Sequence, residues 1–357
     1  MKKLKKILII IQRSNGDVFL SASLINALHE YYESPQIDLL VNDDTIGVAS
    51  LLSNTNSIYS FSYEKKKNSR LKQEKKIFTT IYRKYDLSIN LTASDRSVIY
   101  ALLASKKSIS AIERNIKKSW WKKIFLFKYY FFDTSKHILL NNLEPLNLLK
   151  IQHEEIQNIV NFSCFDKVTN QLRKEGLNRF IIFHPSAQYE YKIYPKHLRD
   201  ELLLKLSKLD IPIVITGSNN QIDKDIKKQL PELPNIFDFI GETSLEELFA
   251  LSHLSLAYVG MDTLNMHIAA SQNKRIFAIF GPTNLKMWSP WSNNLKTSAT
   301  KDSPLQNYDN ITIFQANMAC VACGKAGCGD MHQKSDCLYN IDPNAIFNEI
   351  EKWARGL

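Results

Sequence analysis

At 357 residues the chain is too long for one ordinary hydrophobic core and fits two domains of about 150 to 200 residues each. Its 44% hydrophobic and 23% charged residues make it globular, and no run reaches the roughly 18 to 20 consecutive apolar residues of a membrane span, which excludes a helical integral membrane protein. The net charge of +10 is uneven: residues 1–150 carry 25 Lys or Arg against 13 Asp or Glu, and residues 151–357 carry 21 against 23. A basic first half suits an anionic partner, whether phosphorylated glycolipid, membrane surface or nucleic acid. Lysine used only as a solubilising residue would leave the asymmetry unexplained.

The chain starts Met1-Lys-Lys-Leu-Lys-Lys and continues into the apolar run Ile7 to Ile11. That run ends at Gln12 and Arg13, too short for an export segment, and no small-residue cleavage site follows, so the expected location is cytoplasmic. Ile7 to Ile11 is instead the first strand. A helix with Phe19, Ala22, Leu24, Ala27 and Leu28 on its apolar side is expected over Val18 to Tyr32, followed by strands at Gln36 to Val41, Ile58 to Phe61 and Leu87 to Leu91. Glu64 to Lys76 is a charge run, expected as a solvated face. In Ile116 to Phe132 (IKKSWWKKIFLFKYYFF) aromatic residues interleave with Lys; such a stretch suits either a bilayer interface or a core helix whose Lys stems snorkel.

Cys164 to Gly176 is expected as linker and lead-in helix. The second half then alternates strands at Phe180 to Phe183, Ile213 to Thr216, Ile236 to Ile240, Leu256 to Val259 and Ile276 to Phe280 with helices near 197–209, 222–230, 244–253 and 263–271. A last helix spans Pro343 to Trp353. Strand and helix alternation predicts an α/β protein with parallel sheets covered on both faces.

Ligands in such sheets bind beyond the carboxyl ends of the strands, which singles out three turns. The first is Gln12-Arg13-Ser14-Asn15-Gly16-Asp17, where Gly16 permits a tight turn and Asp17 is either a helix N-cap or a group that meets substrate. The second is Phe183-His184-Pro185-Ser186-Ala187, with Lys192 close behind, whose free backbone N–H groups and ammonium suit a phosphate. The third is Val259-Gly260-Met261-Asp262-Thr263-Leu264-Asn265-Met266-His267, followed by Gly281-Pro282-Thr283. There Asp262 is expected to cap a helix whose N-terminus faces an anion, and His267 is either structural or in reach of the same pocket.

Together these pieces resemble glycosyltransferase family 9, the ADP-heptose:lipopolysaccharide heptosyltransferases. The likeness runs through Gly16-Asp17, YDLSINLTASDRS at 85–97, HPSA with Lys192, ITGS at 215–218, GETSLEEL at 241–248, VGMDT with His267, and IFGPT at 279–283. Arg13 before Asp17, INLT at 89–92 and CVACGKAGCGD running on to Cys337-Leu338 are similar to the heptosyltransferase III branch. The resemblance implies a GT-B fold of two Rossmann-like domains facing across a cleft: an acceptor domain over 1–165, a donor domain over 170–340 that includes the Cys-rich segment 320–337, and a C-terminal helix over 341–357. It implies Asp17 as general base of an inverting transfer from ADP-heptose to the anionic inner core of lipopolysaccharide. Acceptor contacts fall to Arg13, Ser14, Asn15 and Arg96. Donor contacts fall to Ser186, Lys192, Thr216, Gly217, Asp262, Thr263, His267, Gly281, Pro282 and Thr283. Leu264 departs from the Gly usual after Asp-Thr, and Tyr194 stands where a Trp commonly follows Lys-x, putting close backbone approach and ring stacking there in question.

No cofactor or divalent cation is required on this reading, and Asp43-Asp44 and Asp223-Lys-Asp225 are expected as ordinary surface acids. Cys320, Cys323, Cys328 and Cys337, with turn-permitting Gly324, Gly327 and Gly329, form either a structural zinc site, a set of free thiols or a disulfide. The expected partners are a nucleotide sugar, the lipopolysaccharide acceptor and the inner face of the cytoplasmic membrane, contacted peripherally. Alternatives are a GT-B transferase using another donor on a surface glycolipid, or a non-catalytic nucleotide-sugar binder. A nucleic-acid binder would leave the thiol cluster in the acidic half and shows no recognised motif, so no nucleic acid is expected.

Overall fold

Lys6–Ile11 (β1, KILIII) buries five of its six residues, the pattern of a strand covered on both faces, and it lies inside a parallel sheet. The computed structural model describes residues 4–64, 66–155 and 164–357 and divides the chain into two units, 1–161 and 162–357. The lysines at 2 and 3, and Lys65 in the expected charge run, lie outside the described residues.

In the first unit β1 is joined by β2 (Gln36–Asn42), β3 (Ile58–Phe61), β4 (Leu87–Asn90), β5 (Ser108–Ile112) and β6 (Lys128–Phe131) in the order β3-β2-β1-β4-β5-β6. Every pairing is parallel; Ile7 lies opposite Ile37 of β2 and Leu87 of β4. Leu8, Ile10, Leu40, Phe61, Ile81 and Tyr100 fill one core of this unit.

Two expectations need correction here. The single helix over Val18 to Tyr32 is two, Asn15–Phe19 and Ala22–Tyr31. The break falls where the buried Ser21 hydroxyl donates to the Val18 carbonyl at 2.7 Å, a local bond that competes with helix continuation. The aromatic and Lys stretch is a helix, Ile116–Phe125, that ends at an extended Leu126 and turns into β6. Tyr129, Tyr130 and Phe131 favour the pleated state, and β5 offers them an edge, pairing Ile109 with Lys128 and Ile112 with Phe131.

The second unit carries β7 (Ile181–His184), β8 (Ile213–Gly217), β9 (Ile236–Ile240), β10 (Ala257–Met261), β11 (Arg275–Ile279), β12 (Leu305–Tyr308) and β13 (Ile311–Phe314), ordered β12-β13-β11-β10-β7-β8-β9. Only the β12–β13 hairpin is antiparallel within this described sheet. Counted from β7, the parallel strands follow the same order as in the first unit. The lead-in helix is Phe165–Lys174. The C-terminal helix Pro343–Ala354 belongs to the core of this unit: Ile346 and Ile350 are fully buried, and Trp353 meets Phe277 ring to ring at 5.7 Å.

Candidate active site

Each sheet reverses its strand order once near the middle, between β1 and β4 and again between β7 and β10, and the carboxyl ends flanking such a reversal are where open α/β sheets bind ligands. In the first unit the loop after β1 is fixed from both sides. Gln12 N–H donates to Thr92 Oγ1 at 2.9 Å, and Asn42 Nδ2 donates to the Arg13 carbonyl at 3.2 Å. Ser14 then takes the N-cap position and Asp17 lies three residues inside the helix. The expected N-cap role of Asp17 is therefore Ser14's, and Gly16 sits within the helix rather than in a turn.

Asp17 is 3% exposed. Its Oδ2 accepts from the Ser14 hydroxyl at 2.7 Å and from the Ser14 N–H at 3.2 Å, while its Oδ1 lies 2.8 Å from Arg13 Nε. Burial raises its pKa above the ordinary aspartate value; the Arg13 charge and the Ser14 bonds oppose that rise without cancelling it. The Arg13 guanidinium rests 4.6 Å over the Phe132 ring. A carboxylate so held is more basic than a solvated one and has its geometry set before substrate arrives. Arg96 lies over the rings of Phe61, at 3.9 Å, and Tyr63, at 4.7 Å, at the exit of β3.

In the second unit Lys192 Nζ meets Asp262 Oδ2 at 3.2 Å, joining the turn after β7 to the turn after β10. Asp262 does not cap the helix Leu264–Ser271 as expected; Thr263 occupies that position with an extended backbone. The Lys192 pairing accounts for the difference, since it holds the Asp262 carboxylate toward the β7 turn. His267 is buried on the second turn of that helix, within electrostatic reach of both Asp262 and Lys192, and burial lowers its pKa to about 4. His184 at the end of β7 is likewise lowered by burial to about 4. Both imidazoles are neutral at neutral pH, so Lys192 carries the positive charge of this group.

His184 Nδ1 lies 3.0 Å from Thr216 Oγ1 and 2.8 Å from Asn265 Nδ2, which ties β7, β8 and the helix after β10 into one polar cluster. Asn265 and His184 were absent from the expected contacts. The available signal was Asn265 two residues after Thr263, where a side chain on a helix's first turn faces the strand ends. Ser186 and Thr283 are buried at strand ends. Gly217 packs against Asp223, which is buried and accepts from Ser218 N–H at 2.7 Å and its hydroxyl at 2.6 Å; Asp223 thus braces the turn after β8 from the first turn of a helix capped by Asn220 and is not a surface acid. Gly260 has φ +154°, and a Cβ there would fall 2.3 Å from the His184 carbonyl oxygen. Tyr194 is no stacking platform: it is 1% exposed and its hydroxyl donates to the Ile341 carbonyl at 2.6 Å.

The Cys-rich segment braces these turns. Gly324 N–H donates to the Pro282 carbonyl at 2.7 Å, the Ser335 hydroxyl donates to the Tyr191 carbonyl at 2.6 Å, and a Cβ on Gly281 would fall 2.8 Å from Leu338 Cγ. All five cysteines are free thiols; Cys320, Cys323 and Cys328 are exposed, whereas Cys337 is buried and its thiol is pushed up to about 11 by that burial. Among the described residues no three His, Cys, Asp or Glu side chains are grouped so as to hold a metal ion, although Cys320, Cys323 and Cys328 lie within electrostatic reach of Cys337. Cys328 Sγ accepts the Asp336 N–H at 3.3 Å. A cavity of about 1110 Å³ in the first unit, between Ala22–Tyr31 and residues 147–154, contains none of the candidate residues.

Two α/β units of one strand order, each with its polar groups at the strand-order reversal, make a pair of Rossmann-like domains. Residues 75–315 match the model of glycosyltransferase family 9 (heptosyltransferase), and the chain belongs to that family. It is therefore an enzyme of the glycosyltransferase class. The chain is 26% identical over 294 residues to lipopolysaccharide heptosyltransferase 3 of Escherichia coli (strain K12), an alignment covering 79% of this chain and 84% of that one. Its fold is similar to that of E. coli ADP-heptose lps heptosyltransferase II, with a TM-score of 0.69 at 18% identity over 98% of this chain and 99% of the other. It is also similar to E. coli heptosyltransferase WaaC with ADP-2-deoxy-2-fluoro heptose, with a TM-score of 0.71 at 14% identity over 97% and 99%.

Proposed function

We propose that this enzyme transfers a heptose from ADP-heptose to a hydroxyl of the lipopolysaccharide inner core, with inversion, as a heptosyltransferase III-like transferase at the inner face of the cytoplasmic membrane. The observation that carries the reading is the buried, Arg13-paired carboxylate of Asp17 at the first unit's strand-order reversal. Family membership and the similarity to a lipopolysaccharide heptosyltransferase 3 support the choice of donor and acceptor.

In this reaction Asp17 takes the proton of the acceptor hydroxyl as its oxygen bonds to the anomeric carbon, and the bond from that carbon to the ADP oxygen breaks. Such a base contributes about 10²- to 10⁴-fold. Charge grows on the departing diphosphate, so Lys192 and the N–H groups opening Leu264–Ser271 favour the transition state over the ground state. Lys192 exchanges its Asp262 partner for phosphate when donor binds, while Ser186, Thr216, Gly217, Thr263, His267, Gly281, Pro282 and Thr283 shape the donor site. Arg13, Ser14, Asn15 and Arg96 receive the anionic acceptor. Asp17 and Lys192 supply the proton transfer and the charge neutralisation, so the proposal calls for no divalent cation.

The test is transfer from ADP-heptose to an inner-core acceptor, with Asp17→Asn beside the wild type and nucleoside-diphosphate hexoses as competing donors. Turnover with ADP-heptose that falls at least about a hundredfold in the variant is expected. Near-normal turnover by a donor-binding Asp17→Asn protein, or preference for another donor, overturns the assignment.

A further inference from the structure

We propose that the helix Ile116–Phe125 and β6 form the surface by which the protein lies on a bilayer of anionic phospholipid, placing the acceptor's sugar hydroxyls beside Asp17. This deepens the membrane-facing part of the proposed function and rests on it.

The helix is held one way round. Lys122, 1% exposed, reaches inward to Asp95 Oδ1 at 2.7 Å and the Ala93 carbonyl at 3.1 Å, and the buried Ser119 hydroxyl donates to the Glu113 carbonyl at 2.6 Å. The opposite side is fixed outward. Trp120 and Ile124, one helical turn apart, are 58% and 67% exposed, and Phe125, Phe127 and Phe131 extend the apolar surface past the helix end into β6. Five large apolar side chains of one hairpin-like unit left in water mark an interaction surface rather than scattered exposure.

Charge decides what covers it. Residues 106–132 contain eight Lys or Arg and one Glu. Lys123 Nζ stands 5.1 Å over Phe131 and Lys128 Nζ 5.7 Å over Phe127, so the ammonium groups sit at the level of the exposed rings. Lys106 and Lys107, both exposed, lead into β5 next to the start of β6, where Ile109 pairs with Lys128. Aromatic and aliphatic groups at one level with interleaved ammonium groups match the acyl and headgroup boundary of an anionic leaflet. A second copy docked through the same surface would face this cationic set with itself. The surface also adjoins the reacting group: Phe131 is exposed, and the next residue, Phe132, carries the Arg13 guanidinium that pairs with Asp17.

The test uses the full chain with vesicles of phosphatidylethanolamine and phosphatidylglycerol, and with vesicles of phosphatidylcholine alone. The wild type should sediment with the anionic vesicles and not with the neutral ones. Trp120→Ser combined with Ile124→Ser and Phe125→Ser, and separately Lys117→Glu with Lys123→Glu, should each weaken binding at least about tenfold. Turnover of the triple apolar variant on a deacylated, water-soluble acceptor should stay within about twofold of wild type, because Trp120, Ile124 and Phe125 take no part in the proposed chemistry or in the charge that draws the acceptor. Equal binding to both vesicle types, no binding to either, or unchanged binding by the triple variant overturns the proposal. So does a wild-type dimer that the triple variant splits without changing vesicle binding, which would assign the surface to a second copy. If no acceptor is turned over while vesicle binding still responds to the substitutions, the transferase reading fails and the lipid surface stands.

Discussion

Asp17 is costly where it sits, and the cost has a direction. Burial holds its folded-state pKa above the value in the unfolded chain, so the folded protein keeps this proton more firmly. The associated stability is present below the unfolded pKa and is lost as pH rises through the folded one. Asp17→Asn does not ionise and escapes that loss, and the Arg13 side chain it leaves behind, 24% exposed, can turn to water. Thermal melting at neutral pH should therefore place the Asp17→Asn midpoint at or above that of wild type, even as turnover falls; a clearly lower midpoint would show that the Arg13 pair outweighs the desolvation. The same balance sets a pH profile. As the base must be ionised, the acidic limb of kcat/KM should lie above the ordinary aspartate range of about 3.9. Arg13 is the largest influence holding the pKa down, so Arg13→Gln should move that limb to higher pH, and an unmoved limb would separate Asp17 from the titration.

At the scale of strands and helices, Gly260 joins the two turns of the second unit's site. Its backbone, φ +154°, brings β10 against the His184 carbonyl of β7, and an added Cβ would meet that oxygen at 2.3 Å. Gly260→Ala should cost more than about 2 kcal/mol in a urea unfolding series, because both the backbone strain and the overpacking fall on one point. A near-neutral substitution would mean that β7 and β10 can separate freely. This closeness explains what could be foreseen in the sequence. Ile and Val runs announced β1 and β8, shorter apolar stretches announced β2 and β10, and the turns beyond them announced where a site would be. Strand β5 was hidden because Ser108 and Ser110 occupy fully buried positions, with Ser110 satisfied by Asn90 Nδ2 at 2.8 Å and no apolar run left to see. The pairing of Lys192 with Asp262, 70 residues apart, and the burial of Cys337 depend on how distant segments pack, which local pattern does not encode. By contrast Ser14-x-x-Asp17 is a local capping pattern that the sequence itself carries, with Ser14 at the N-cap.

At the scale of the whole molecule, positive charge divides the labour between the units. Residues 1–150 hold 25 basic against 13 acidic side chains, and residues 151–357 hold 21 against 23. In the proposed function the first unit draws its anionic acceptor by a field spread over exposed lysines, which salt screens over about 8 Å at physiological ionic strength. The second unit has no such excess; the groups proposed to hold the donor are Lys192, backbone N–H groups and neutral side chains packed at strand ends, and short-range contacts of that kind are screened far less. Steady-state kinetics at rising salt should therefore raise KM for a phosphorylated acceptor several-fold between roughly 50 and 500 mM, with a smaller change for ADP-heptose and for the dephosphorylated acceptor. Equal salt slopes for donor and acceptor would mean that the basic first half does not receive the acceptor, and the charge asymmetry would then need another partner.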